Sequence, residues 1–132
     1  MNNKAHRFPV RIYYEDTDFS GNVYHAAYLK FMERARTELL RQNDIHHFEL
    51  AKQGMAFAVA RLEISYMKPA HIDDILEVVT EIKSTKGARF ILEQEIFRGD
   101  TILTRSSVTV VAIGENGRPV RLPAGMMENL SQ

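Results

Sequence analysis

Tyr14-Glu15-Asp16-Thr17-Asp18-Phe19-Ser20-Gly21-Asn22-Val23-Tyr24-His25-Ala26-Ala27-Tyr28-Leu29-Lys30-Phe31-Met32-Glu33-Arg34-Ala35-Arg36 decides how the chain is read, because polar groups able to do chemistry crowd there at a reversal leading into a helix. Glu15, Asp16 and Asp18 precede the turn Ser20-Gly21-Asn22, in which glycine can take a backbone angle that other residues avoid and asparagine can cap a helix. On that reading His25 falls in the first helical turn. Tyr28, Met32, Ala35 and Leu39, with Phe31 beside them, recur at the spacing of one buried helix face, and Lys30, Arg34, Glu38 and Arg41 take the other side.

Outward from this stretch the pattern is mostly strand. Phe8, Val10, Ile12 and Tyr14 alternate with Pro9, Arg11 and Tyr13, as in a strand with one buried face, and Pro9 favours an edge. The run 43–50 breaks the helical pattern, and the segment up to Gly54 reads as a helical turn or loop. Met55 to Tyr66 reads as a strand stopped by Pro69. Ile75 to Ile82, Arg89 to Phe97 and Ile102 to Ile113 read as three more, joined by hairpins at Ser84-Thr85-Lys86-Gly87 and Gly99-Asp100. The expected order is a strand, one helix of about 18 residues, then an antiparallel meander, with the helix laid across the concave side of the sheet. This is an α+β domain. The tail 116–132 shows no clear period and is expected to cross to another subunit or stay loose.

With 132 residues, 45% of them hydrophobic, the chain can build one core and one domain, spanning 1–132. Seventeen basic side chains balance seventeen acidic ones at a sequence pI near 7.0, so overall charge draws in neither nucleic acid nor an anionic membrane. The absence of cysteine excludes disulfides, thiolate metal ligands and a cysteine nucleophile. No apolar run approaches the roughly 20 residues of a membrane span, and the polar residues 1–7 show no signal peptide, so a cytoplasmic setting is expected.

The chemistry concentrates at Asp18 and His25. Helix-start N–H groups lack helical partners and carry partial positive charge, so they can hold a developing oxyanion. With a substrate carbonyl oxygen at the N–H of His25 or a neighbour, Asp18, seven positions earlier, would lie on the far side of the carbonyl carbon. An acidic residue before a helix is also an ordinary cap or dipole partner, and spacing alone does not separate the two readings. Glu33, a little over two turns beyond His25, either faces the same pocket or pairs with a neighbouring arginine on the helix surface. Asp16, Asp18, His25 and the pair His46-His47 make a poor metal set: adjacent histidines diverge, and no H-E-x-x-H spacing is present. Ser20 lacks the G-x-S-x-G elbow of a nucleophile and reads as a hydrogen-bonding turn serine. Lys83, Lys86, Arg89, Arg61, Lys68 and Arg98 are cations able to meet phosphates or to remain a solvated face.

The stretch Tyr14 to Leu29 resembles the signature of the hotdog-fold acyl-CoA thioesterases, above all the 4-hydroxybenzoyl-CoA thioesterase branch and its YbgC-type, Tol-Pal-associated members. The match is specific at Asp18, Gly21, Val23, Tyr24, His25, Tyr28 and Leu29, and continues through Phe31-Met32-Glu33-Arg34-Ala35-Arg36 and Ile64-Ser65-Tyr66-Met67-Lys68-Pro69. Departures at Phe19-Ser20 and Asn22 bear on acyl-chain preference more than on chemistry.

The resemblance implies a hotdog fold, an antiparallel sheet wrapped around one long helix, with sites at the interface of a homodimer that pairs further into a tetramer as a dimer of dimers. It implies hydrolysis of an acyl-CoA substrate with no cofactor and no metal beyond the coenzyme A of that substrate, and acyl carrier protein or lipid-synthesis enzymes as partners. It makes Asp18 the catalytic carboxylate, as nucleophile or general base. The N–H at His25 becomes the carbonyl-polarising donor and the His25 ring its assistant, with Tyr14 in the catalytic set and Gly21, Val23, Tyr24 and Tyr28 binding substrate. A hydratase or dehydratase on the same fold, and a non-catalytic acyl-CoA-binding scaffold, are the alternatives.

Overall fold

The computed structural model describes residues 5–131. Five strands form one antiparallel sheet: β1 (His6–Arg11), β2 (Ala56–Tyr66), β3 (Ile75–Lys86), β4 (Arg89–Arg98) and β5 (Thr101–Ile113), in the order β1-β3-β4-β5-β2. The helices are α1 (Ala27–Gln42), α2 (His47–Lys52) and α3 (Ala124–Ser131), with a single 3-10 turn at Tyr14–Asp16.

The two hairpins form as expected because glycine takes positive φ in each, at Gly87 (62°) and Gly99 (60°), although β3 runs on to Lys86 and the first turn is correspondingly tighter. Only β3, β4 and β5 make a meander. β2 does not precede β3 in the sheet but pairs with β5 on the far edge, so the expected meander from Met55 onward is corrected: residues 67–74 cross the sheet's width before β3 begins. β1 takes the opposite edge, where Pro9, which has no N–H, is tolerated. Tyr14 does not continue the buried face of β1. It lies in the 3-10 turn, 81% exposed, because the strand ends at Arg11.

α1 lies on the sheet with the expected stripe inward. Tyr28, Phe31, Met32, Ala35 and Leu39 are all buried, packed with Leu76 and Val78 of β3, Leu92 and Ile96 of β4 and Val108 of β5 in one core. Burying each large side chain stabilises by roughly 1.5–3 kcal/mol before ordering costs, so this stripe fixes the helix to the sheet. Beneath it runs a polar belt with no counterpart in the sequence reading. Gln94, fully buried, accepts from Arg36 (3.0 Å) and donates to the Met32 carbonyl and to Thr80 Oγ1 (3.0 Å each), while Ser106 Oγ donates to the Gln94 carbonyl (2.8 Å). Burial pushes the Arg36 guanidinium down, and Glu33 opposes this.

Over its described residues the tail is not loose. Residues 124–131 form α3, anchored by buried Leu122 and Leu130, and Asn129 Nδ2 donates to the Asn43 carbonyl (3.3 Å). The segment after α1 is helical, as α2, with Leu50 buried.

Candidate active site

The loop between β1 and α1 is built from hydrogen bonds that leave few degrees of freedom. Thr17 and Val23 form an antiparallel bridge, Asp18 N–H donates to the Asn22 carbonyl (2.9 Å), and Gly21 N–H to the Asp18 carbonyl (3.0 Å). Gly21 has φ +88° with no atom within 4 Å of a hypothetical Cβ, so backbone angle rather than space demands glycine there.

α1 starts later than expected. Asn22 bridges His71 and Val23 N–H donates to the Ala70 carbonyl (2.8 Å), so both residues are extended and neither is available to cap. Ala26 is the N-cap and His25 lies in the turn before the helix, where the first-turn placement had it inside. The change leaves the His25 and Ala26 N–H groups with no partner among the described residues, while those on either side are tied: Tyr24 N–H to the Asp16 carbonyl (2.9 Å) and Ala27 N–H to the Tyr24 carbonyl (2.8 Å).

Asp18 and His25 come together in a cleft of about 330 Å³ whose other walls are Asn22, Val23, Tyr28, Tyr66, Met67, Lys68 and Pro69. Asp18 is exposed. Its Oδ1 accepts from the Ser20 N–H (2.8 Å) and from the Ser20 hydroxyl, and these bonds, the hydroxyl's first, hold the carboxyl below its ordinary value. The carboxylate is therefore ionised at neutral pH, with neither Ser20 bond on Oδ2. Ser20 is the hydrogen-bonding turn serine expected, and its partner includes the carboxylate itself.

Of the other expected site residues, Val23 and Tyr28 are buried and line the cleft, while Gly21, Tyr24 and Tyr14 do not line it. Tyr24 stacks at a tilt on the His25 ring, 4.6 Å between centroids. Glu33 lies elsewhere, in a smaller cleft of about 80 Å³ between α1 and β2 with Arg36, His47 and Phe57. Among the cations raised from the sequence, Lys68 alone borders the Asp18 cleft; Lys83 pairs with Glu81 and Glu93, Arg61 with Glu63, and Arg98 with Asp74.

One cleft side chain, Tyr66, was not among the expected site residues, and the expected Tyr28 has a hydrogen-bonding role besides lining the cleft. Tyr66 donates from its hydroxyl to the His25 carbonyl (2.8 Å), and the Tyr28 hydroxyl accepts from Ala70 N–H (2.9 Å), so the β2 end and the crossover both hold the helix start. The available signal was a tyrosine at the last strand position before Pro69. Arg98 supports the crossover, donating to the Pro69 carbonyl (3.1 Å) and to Asp74 (2.9 Å).

A sheet closed over one face of a helix, with a carboxylate and a residue whose N–H has no partner among the described residues in one cleft at that helix's start, meets its family at this point. The model of the thioesterase superfamily matches residues 20–105. The chain belongs to the thioesterase superfamily. It is 40% identical over 134 residues to the acyl-CoA thioester hydrolase YbgC of Escherichia coli O6:H1, covering the whole of both chains. It is 46% identical over 118 residues to the acyl-CoA thioesterase YbgC of Haemophilus influenzae, covering 88% of this chain and 87% of that one. The crystal structure of a probable thioesterase from Bartonella henselae superposes with a TM-score of 0.87 at 43% identity, over 91% of this chain and all of that one. The 1,4-dihydroxy-2-naphthoyl-CoA thioesterase of Synechocystis superposes at 0.90 with 22% identity over 98% and 97% of the chains, a likeness of fold. The fold of this thioesterase is the hotdog expected. Its family match begins after Asp18, so the role of that carboxylate rests on the cleft.

Proposed function

We propose that the chain is an acyl-CoA thioesterase that uses Asp18 and the backbone N–H of His25 to hydrolyse an acyl-CoA to a carboxylate and free coenzyme A. The observation that carries the reading is the cleft lined by both Asp18, an ionised carboxylate, and His25, whose N–H has no partner among the described residues. The names borne by full-length relatives support the substrate class.

The thioester carbonyl oxygen takes the His25 N–H, which becomes a stronger partner as negative charge develops on that oxygen. Asp18 Oδ2 then acts in one of two ways. As nucleophile it bonds to the carbonyl carbon, the C–S bond breaks, the thiolate leaves and is protonated, and water later cleaves the acyl-aspartyl anhydride. As general base it takes a proton from water, the hydroxide adds to the carbon, and the same C–S bond breaks. The net change is identical, water consumed and a carboxylic acid and thiol formed. Val23 and Tyr28 wall the acyl or pantetheine portion.

A second copy of the chain completes the cleft in this proposal. Among the described residues β2 pairs only with β5 and leaves a free edge of eleven residues bordered by exposed Val59, Tyr66 and Met67, and both clefts on the α1 side reach this strand. Free strand edges are liabilities that proteins cover. Pairing along β2 would wall each cleft with the other copy, and the convex face would serve a second pairing into a tetramer. No described helix is long and apolar enough to cross a membrane, which agrees with action on a dissolved substrate.

A panel of aliphatic and aromatic acyl-CoA substrates, followed by free-thiol release, tests the reading. Thiol release lost in Asp18→Asn is expected. Bound acyl-CoA with no thiol release by wild type would make the protein a binder, and a hydrated product with the thioester intact would make it a hydratase.

A further inference from the structure

The cleft contains a hydrogen bond that neither binding nor hydrolysis by itself requires. Tyr66 ends the edge strand β2, and its hydroxyl reaches across 41 positions of sequence to the His25 carbonyl at 2.8 Å. That carbonyl is available because α1 begins one residue too late to use it: Leu29 N–H turns instead to the Ala26 carbonyl (3.2 Å). The peptide groups around His25 are anchored through the Tyr24 and Ala27 N–H groups, whereas the His25 and Ala26 N–H groups have no partner among the described residues. The 24–25 peptide, which carries the His25 N–H, is held at its Tyr24 oxygen by the Ala27 N–H, and the Tyr66 hydroxyl holds the next one, the 25–26 peptide, so the two bonds together fix the backbone of His25 from both sides.

The rings reinforce the tie. Tyr66 stands edge-on to the His25 imidazole (centroids 6.3 Å apart, 87°) and against Tyr28 (5.5 Å, 66°), whose hydroxyl is held by Ala70 N–H. Burial pushes the Tyr66 phenol up, so it keeps its proton and remains a donor throughout the neutral range. Accepting a hydrogen bond at a carbonyl restrains the residue that owns it, and a displacement of about 1 Å in a catalytic group can cost on the order of 100-fold in rate.

We propose that Tyr66 is a positioning residue, whose hydroxyl holds the peptide that follows His25 and so restricts the backbone rotation of that residue, keeping its N–H, held on the other side through the Tyr24 carbonyl, aimed at the thioester oxygen. The inference rests on the oxyanion role given above to that N–H. It differs from a role in binding the acyl group, because a tyrosine that only touches substrate would act through KM.

Tyr66→Phe keeps the ring and removes the hydroxyl. The expected result is a kcat lowered about 10- to 100-fold with KM changed by less than about 3-fold. A second readout is made on the free protein: selective 15N-histidine labelling gives one amide signal for each of the five histidines, and the His25 signal should shift or broaden in Tyr66→Phe while the other four stay in place. Turnover per folded molecule within 2-fold of wild type would overturn the proposal, as would a rise in KM alone. A fall in kcat with the His25 amide unmoved would show that Tyr66 meets the substrate directly, and would overturn it equally. A wild type inactive on every acyl-CoA would fail the hydrolase reading instead, and the amide shift would still report whether the tie exists.

Discussion

Ser20 grips Asp18 twice, with its backbone N–H and its hydroxyl both donating to Oδ1. Holding one carboxylate oxygen in this way keeps the group ionised and leaves the other oxygen for chemistry. Ser20→Ala removes the largest of the effects that depress Asp18. The Asp18 pKa should therefore rise toward 3.8, and the acid limb of kcat/KM should move to higher pH, while the rate at pH 7 falls by less than about 5-fold because the backbone N–H remains. A pH–rate profile with an unmoved acid limb would detach that limb from Asp18.

Asp18→Asn preserves the shape and the Ser20 backbone contact but removes the charge. Turnover should fall by several orders of magnitude with acyl-CoA binding nearly intact, measured by single-turnover thiol release beside direct binding. A variant retaining more than about a tenth of wild-type rate would remove Asp18 from the reaction. Single turnover of wild type in 18O-water then tests the nucleophile role: an unlabelled Asp18 oxygen in the first product shows an anhydride cleaved at the aspartyl carbon, whereas a general base, or an anhydride cleaved at the acyl carbon, places solvent oxygen there.

His25→Ala deletes the ring and keeps the N–H. The expected loss in kcat is on the order of 10- to 1,000-fold, smaller than for Asp18→Asn because the backbone donor survives. Melting temperature measured on the same preparation distinguishes catalysis from packing: a lowered melting temperature with unchanged turnover per folded molecule withdraws the ring from catalysis.

Asp74 carries the crossover. Burial raises its pKa, but hydrogen bonds from the His71 N–H (2.9 Å) and from Arg98 (2.9 Å) outweigh it, so the net shift is downward. A carboxyl with a depressed folded pKa contributes stability above its unfolded value of 3.8 and loses it as pH falls through the lower folded value. Asp74→Asn should cost about 1 kcal/mol at pH 7 and much less at pH 2. Urea titrations at the two pH values check this, and an equal gap at both would assign the cost to something other than charge.

The free edge of β2 is expected to be covered by a second copy in dilute solution. Sedimentation should give at least a dimer, and Val59→Lys, which sets a charge among the exposed residues of that strand, should weaken it and lower activity together. A monomer that hydrolyses acyl-CoA at the full rate would refute completion of the site by a partner.

The parts of the fold governed by local periodicity were legible. The helix stripe at Tyr28, Phe31, Met32, Ala35 and Leu39 and the turns at Gly87 and Gly99 each follow from spacing within a few residues. The meeting of Asp18 and His25 was also legible, since the reversal joining them is short. What escaped depends on distant partners. The helix begins at Ala27 because residues 70 and 71 occupy the backbone of Val23 and Asn22, and β2 moves to the far edge because its partner is β5. Tyr66 belongs to the same class: its place at the strand end before Pro69 was visible, but its tie to His25 joins positions 41 residues apart. The α3 helix has too few apolar positions to show a period, and contact with the core reveals it.

An apolar stripe alone would let α1 slide along its axis, since a shift of one turn exchanges one hydrophobic side chain for another. Gln94 forbids the shift. Its amide is matched at once to the Met32 carbonyl, the Arg36 guanidinium and Thr80, and a displacement of the helix by a turn, about 5.4 Å, would strand a fully buried amide and a half-buried cation without partners. The belt thus acts as a key in a slot, indexing the helix against β3 and β4. The vertical setting of the loop that carries Asp18 and His25 is gauged more than a full helical turn away from the chemistry, by a side chain that never meets the substrate.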